Sequence, residues 1–169
     1  AMLRSVMGEN CPPDALRAYQ VLTGLSSHSF SAMRELLGTP KSCSYAVHKG
    51  GETVVCAFDY GSFIALYEAV IDDVSRFDSG IEVITQNQHF KLNYDTPYIR
   101  NLPTRLEITT STPTQTGTEI IGPIYEDPFR IELTAFHDSI INGTPPKTSL
   151  EDSMADLKLF RDVAEHFWV

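Results

Sequence analysis

The sequence predicts an α+β fold: an open, mostly antiparallel β-sheet with helices packed on one face and the other face used for subunit or domain contact. Three observations carry this prediction. Helical patterns lie at both ends of the chain and strand patterns fill the middle, without the strand–helix alternation that builds parallel sheets. Two β-type runs, from Thr53 to Tyr60 and from Ser62 to Ile71, meet at a Gly61-Ser62 corner, the pattern of a strand–turn–strand unit. The second run would carry Phe63, Ala65, Tyr67, Ala69 and Ile71 on one side and Ile64, Leu66, Glu68 and Val70 on the other. Neither side is polar enough to prefer water, and a strand that is apolar on both sides needs cover on both. The two C-terminal amphipathic helices are expected to supply one cover, and another subunit or domain the second.

The elements follow in order. The start of the chain, through Asn10, has no clear pattern. A helix is predicted from Asp14 to Leu22, with Pro12 and Pro13 before it and Gly24 after it. A second helix is expected to be capped by Ser26 or Ser27, with Phe30, Met33, Leu36 and Leu37 at helical spacing and Gly38-Thr39-Pro40 as its stop. Strands are predicted at Lys41–Val47, in the hairpin, at Ile81–Thr85 and His89–Tyr94, and more weakly at Arg105–Thr110 and Thr118–Ile121. Lys49-Gly50-Gly51 and Gln86-Asn87-Gln88 read as turns. Asp127 is placed to cap a helix with Pro128 at its first position, a Phe129/Leu133/Phe136/Ile140 stripe and Gly143 at its end. Ser149, followed by Glu151 and Asp152, opens a last helix expected to bury Leu150, Met154, Leu157, Ala164 and Phe167.

Composition narrows the function classes. A length of 169 residues and 42% hydrophobic content suit a single domain over 1–169 with a real core. The net charge of −9, with basic residues scattered singly, gives no general reason to bind nucleic acid or an anionic membrane. Cys11, Cys43 and Cys56 are odd in number and without C-x-x-C spacing, which argues against a disulfide framework or a zinc site. No apolar run reaches the roughly 20 residues a membrane span needs, and a cytoplasmic location is the expectation.

Motifs for binding a nucleotide are lacking: there is no G-x-G-x-x-G after a strand and no G-x-x-x-x-G-K-[ST]. None of the five histidines lies three or four positions from another, so no local helical metal pair exists. His28 stands out, at the mouth of a helix in Gly-Leu-Ser-Ser-His-Ser-Phe, where a rigid element can hold an imidazole that titrates near neutrality. The competing reading is local capping or packing. Tyr98 and Arg100, in Asp-Thr-Pro-Tyr-Ile-Arg, offer an aromatic and a cation to a sugar-like or anionic ligand, and Arg76 in a charged turn is a further candidate. His137, beside Phe136, reads as a partly exposed helical residue, and Glu68 as a sheet-margin acid.

Two segments resemble a known family. One runs from Gly24 through His28 to Pro40; the other runs from Asp127-Pro-Phe-Arg-Ile-Glu through Phe136, Ile140 and Gly143 to the Ser149-Leu-Glu-Asp helix start. Together they are similar to the C-terminal domain of the glucose–fructose oxidoreductase / inositol dehydrogenase (Gfo/Idh/MocA) family, and the resemblance spans most of the chain. It implies an NAD(P)-dependent oxidoreductase acting on a sugar-like or polyol hydroxyl. In it this chain is the substrate-binding and oligomerisation domain, and a Rossmann domain outside this chain binds NAD or NADP. On that reading the chain alone binds no cofactor and no metal and is inactive, and it forms homo-oligomers through the sheet face. The family's D-x-x-x-H motif places its histidine at His28, but its aspartate position is Gly24 here. That departure supports the alternative of a non-catalytic regulatory or scaffold member. A small cone-shaped hydrolase or isomerase with a His–Asp pair is a third possibility, disfavoured by the C-terminal helix pair.

Overall fold

The computed structural model describes residues 2–167. The chain forms two compact units, one made of residues up to Asp73 together with those from Lys147 onward, the other of Val74–Pro146. The α+β class holds, every strand pairing is antiparallel, and the strands divide between two sheets rather than forming one.

In the first unit, helices α1 (Met2–Met7), α2 (Pro13–Val21) and α3 (Ser27–Leu37) precede strands β1 (Ser42–Lys49), β2 (Thr53–Asp59) and β3 (Ile64–Val70). The three-residue β1–β2 turn, between paired Lys49 and Thr53, has Gly50 and Gly51 at φ 56° and 75°, left-handed conformations that favour glycine. Gly51 has a second reason to lack a side chain, since a Cβ there would lie 2.6 Å from Arg17 Cβ on α2. The expected hairpin forms, with Val54 opposite Ala69, Cys56 opposite Tyr67 and Phe58 opposite Ala65. These three pairs face the helices.

Phe30 is the centre of this core. Its ring meets Phe58 and Tyr67 edge-on at 5.2 and 5.0 Å and stacks on Phe160 at 5.2 Å, joining α3, β2, β3 and the last helix, α5 (Leu150–Ala164). Leu22, Val54 and Val163 are also fully buried around it. The opposite sheet face carries Tyr45, Ile64, Leu66 and Val70, all exposed, with Leu66 at 79%. The apolar second face expected from the sequence is therefore present, and nothing within this unit covers it.

Three local expectations need correction. Gly24 does not end a helix. Leu22–Ser26 continues α2 as a π-helical turn leading directly into α3, and Ser26 lies in helical conformation without capping anything. The buried Ser26 Oγ instead donates to the Val21 carbonyl at 3.3 Å and accepts from Tyr67 Oη at 2.5 Å, so packing diverts the hydroxyl from capping. The last helix meets the expectation only at its end: Ala164 and Phe167 are buried as expected, but Leu150, Met154 and Leu157 are exposed, and Asp156, Leu159, Phe160 and Val163 are buried instead. Finally, the helical cover of the first sheet comes from α2, α3 and α5. The preceding helix, α4 (Pro128–Asn142), lies in the second unit and has no buried residue.

In the second unit, β4 (Ser79–Ile84), β5 (Gln88–Tyr94), β6 (Thr104–Ser111) and β7 (Thr116–Ile124) form a meander in chain order. The register separates two chemistries over β4–β6, while β7 breaks the pattern by setting Glu119 opposite Ile108 and Ile120 opposite Glu107. Ile81, Leu92, Leu106 and Ile121 align across one face, and Val83, Phe90 and Ile108 beside them. On the other face Glu82, Lys91 and Glu107 align, with Lys91 Nζ 3.1 Å from Glu82 Oε1. That ion pair holds the Glu82 carboxyl below its usual range. Among the described residues, no hydrophobic side chain of this unit is fully buried.

Candidate functional site

The sequence-derived candidates fall into separate places. Tyr98 and Arg100 sit in the loop between β5 and β6, and both reach the start of α4. The Asp127 side chain caps that helix, its Oδ1 accepting from the Phe129 and Arg130 amides at 3.0 and 3.3 Å. Its other oxygen lies 3.7 Å from Arg100 Nε, and the Tyr98 ring tilts against Phe129 at 5.9 Å between centroids. An open cleft of about 630 Å³ results, lined by Arg100, Asp127, Phe129, Arg130, Leu133, Thr134 and His137. Its polar groups are two guanidiniums, one carboxylate, one hydroxyl and one imidazole, set beside an aromatic ring. The cations of this open, solvent-exposed depression could bind the oxygens of a hydroxylated or anionic small molecule.

Arg130 and Thr134, missed by the sequence reading, enter the cleft through helical spacing, since positions 130, 134 and 137 share one face with Phe129 and Leu133 beside them. His137 also belongs here. It remains largely exposed, as expected, with Nδ1 3.2 Å from Asp138 Oδ1. The helical spacing of these residues was legible; the approach of the Tyr98–Arg100 loop to the helix start was not. Arg76 does not line this cleft and is paired with Asp78 in its own turn.

His28 lies in the first unit, in the opening turn of α3 and two residues after the π-turn. It is exposed, and no carboxylate is paired with it among the described residues. A side chain at Gly24 would meet nothing within 4 Å, and its φ is ordinary, so the backbone would accept an aspartate there although the sequence lacks it. A π-turn is a frequent mark of functional sites because the extra residue re-aims the side chains around it.

A second polar cleft, of about 270 Å³, is lined by Ser31, Arg34, Glu35, Lys147, Thr148 and Asp152. Arg34, only 8% exposed in its side chain, donates to Asp156 Oδ1 at 2.7 Å, Asp152 Oδ1 at 2.8 Å and the Asp152 carbonyl at 3.0 Å. These bonds raise the guanidinium's pKa further and hold the Asp152 carboxyl below its usual range. All of Arg34's bonds are used in tying α3 to α5, so this cluster is structural.

Among the described residues, no group of three or more His, Cys, Asp or Glu side chains is placed to hold a metal ion. No helix among them is long and apolar enough to cross a membrane. The three cysteines are free thiols. Among the described residues both sheets are antiparallel, and no βαβ crossover presents a glycine-rich turn and a helix N-terminus.

No known family profile matches the chain, and no curated protein matches it in sequence. Solved structures do resemble it. YvaA of Bacillus subtilis, assigned as an oxidoreductase, superposes with a TM-score of 0.70 at 14% identity, over 86% of this chain and 48% of its own. A Desulfitobacterium hafniense protein assigned as an NADPH-dependent oxidoreductase gives 0.66 at 14% identity, over 84% and 44%. An oxidoreductase from Bacillus cereus gives 0.64 at 15% identity, over 85% and 48%. The fold is thus one shared with chains assigned as oxidoreductases, and this chain spans about half the length of each of them.

Proposed function

We propose that this chain is the substrate-binding and oligomerisation domain of an NAD(P)-dependent oxidoreductase of the Gfo/Idh/MocA type. In this proposal a dinucleotide-binding half lies outside these residues, and the whole protein oxidises or reduces a sugar-like or polyol CH–OH group. The observation that carries the proposal is the fold likeness, which takes in most of this chain and about half of each oxidoreductase. The nicotinamide, bound by the other half, would exchange the hydride. Of this chain's residues, Tyr98 and Arg100 would be the candidates for contacting substrate hydroxyls, and His28 the candidate for exchanging the hydroxyl proton. The exposed apolar face of the first sheet, with Tyr45, Ile64, Leu66 and Val70, would pack against other subunits. The isolated 169 residues would be inactive.

A panel of polyols and sugars offered to the full-length protein with NAD and NADP tests this reading. Turnover of at least one polyol, lost about 100-fold or more in His28→Ala and reduced through a higher KM in Arg100→Ala, is the expected result. Turnover intact in His28→Ala would remove the histidine from the chemistry.

One observation favours a second reading. Among the described residues His28 has no paired acid, and Gly24 stands where the related motif has aspartate, so the proton-transfer pair is incomplete there. A regulatory or scaffold protein that binds the same ligands without turnover would show this. Ligand binding without turnover, together with turnover appearing in Gly24→Asp, would establish it.

A further inference from the structure

Ser26 ends the π-turn, and it is fully buried. Its Oγ donates to the Val21 carbonyl, five residues back, so one hydroxyl spans the turn from the residue before it to its last. The same oxygen accepts from Tyr67 Oη at 2.5 Å, which ties the turn to strand β3. Tyr67 also reaches the following turn of α3, its ring edge-on to Phe30 at 5.0 Å. Ser26 and Phe30 are four residues apart, share one face of the helix and are both fully buried. His28 lies midway between them, on the opposite face, and is exposed, as are Gly24 and Leu25. Tyr67 therefore grips the inner face of the helical turn whose outer face carries the imidazole.

We propose that Ser26 and Tyr67 are positioning residues that aim His28, an inference that rests on the functional reading above. No hydrogen bond holds the His28 imidazole itself among the described residues, so its backbone sets its direction. That backbone leaves a π-turn two residues earlier. If the turn relaxed to α-helical bonding, the residues after it would rotate by about 100° relative to α2. The Ser26 hydroxyl bridges the two ends of the turn, and the Tyr67 hydroxyl anchors that bridge to the sheet. Both bonds are made in a buried setting, where a hydroxyl without a partner is costly. A proton-exchanging imidazole must lie within hydrogen-bond reach of the reacting hydroxyl, and a small misplacement slows the step.

Tyr67→Phe tests this with least disturbance, since it deletes the hydroxyl and keeps the ring on Phe30. Ser26→Ala removes the other partner. Amide hydrogen exchange on the 169-residue chain reads the grip. The expected result is exchange over residues 23–28 about fivefold faster in either variant and unchanged over residues 159–163. The double variant should exchange no faster than Ser26→Ala, because the alanine already removes both bonds. Exchange at residues 23–28 unchanged in Tyr67→Phe would overturn the proposal. Turnover reads the aim. In the full-length protein, with the polyol it turns over best, Tyr67→Phe should lower kcat about tenfold and raise the solvent deuterium isotope effect on kcat, because a misaimed imidazole slows the proton exchange. A lower rate with the isotope effect unchanged is what loss of folded protein alone would give, and it would overturn the proposal. Turnover that depends on His28 but on neither Tyr67 nor Ser26 would overturn the positioning role and leave the functional reading standing. A full-length protein that turns over no sugar or polyol would overturn both.

Discussion

Phe30 and Arg34 sit one helical turn apart on α3 and hold the first unit together in different ways. Phe30 contacts three aromatic rings from three other elements. Phe30→Ala should cost about 3–5 kcal/mol, read as a shift in the urea unfolding midpoint, because the cavity lies between a sheet and two helices that cannot close together. Arg34→Ala leaves Asp156 buried beside α3 with no counter-charge and should cost about 3 kcal/mol. Its pH dependence has a defined sign. The Asp152 carboxyl is depressed by Arg34, so it contributes stability above the ordinary carboxylate range that is lost as pH falls through its folded value. The melting-temperature gap between wild type and Arg34→Ala should therefore narrow below about pH 4. Cys56 titrates the other way. Burial, with a smaller effect from Cys43, pushes its thiol up to about 12, so it should resist alkylation in the folded protein at neutral pH and react once urea exposes it. Phe30 was legible from helical spacing. The ion cluster was not, since Arg34 and its partners are 118 and 122 positions apart and nothing local marks them.

Helix ends were the most legible elements. Asp127-Pro128, Gly143 and Ser149 each state a boundary in local chemistry, and each boundary forms where that chemistry puts it. Asp127→Ala should destabilise α4 by about 1 kcal/mol, seen as faster amide exchange in its first turn. The inward face of α5 was misread because two stripes compete: Leu150, Met154 and Leu157 on one side, Leu159, Phe160 and Val163 on the other. Periodicity detects both and cannot choose between them; the position of the sheet chooses. At Gly24 a glycine suggested a stop, but neighbouring helices carry the chain through a π-turn. Gly24→Ala should accordingly stabilise the chain, by about 0.5–1 kcal/mol in thermal unfolding, because the site is open and its φ is ordinary. A loss of stability would mean that the π-turn itself depends on glycine.

At the scale of the molecule, the antiparallel α+β class followed from strands gathered between helical ends. The partition into two sheets did not, because Asp72–Asp78 reads as an ordinary charged turn and gives no sign that strand pairing breaks there. The cleft was legible only as separate pieces, Tyr98 and Arg100 in one segment and Asp127 in another. The exposed apolar side chains of β3 are part of the surface that the proposed partner subunits would cover. Central to this account is that these residues hold the substrate while another part of the protein holds the nicotinamide. Calorimetric titration of NAD and NADP into the 169-residue chain measures this directly. The account predicts no saturable heat for either nucleotide at millimolar concentration, and micromolar binding of either one would contradict it.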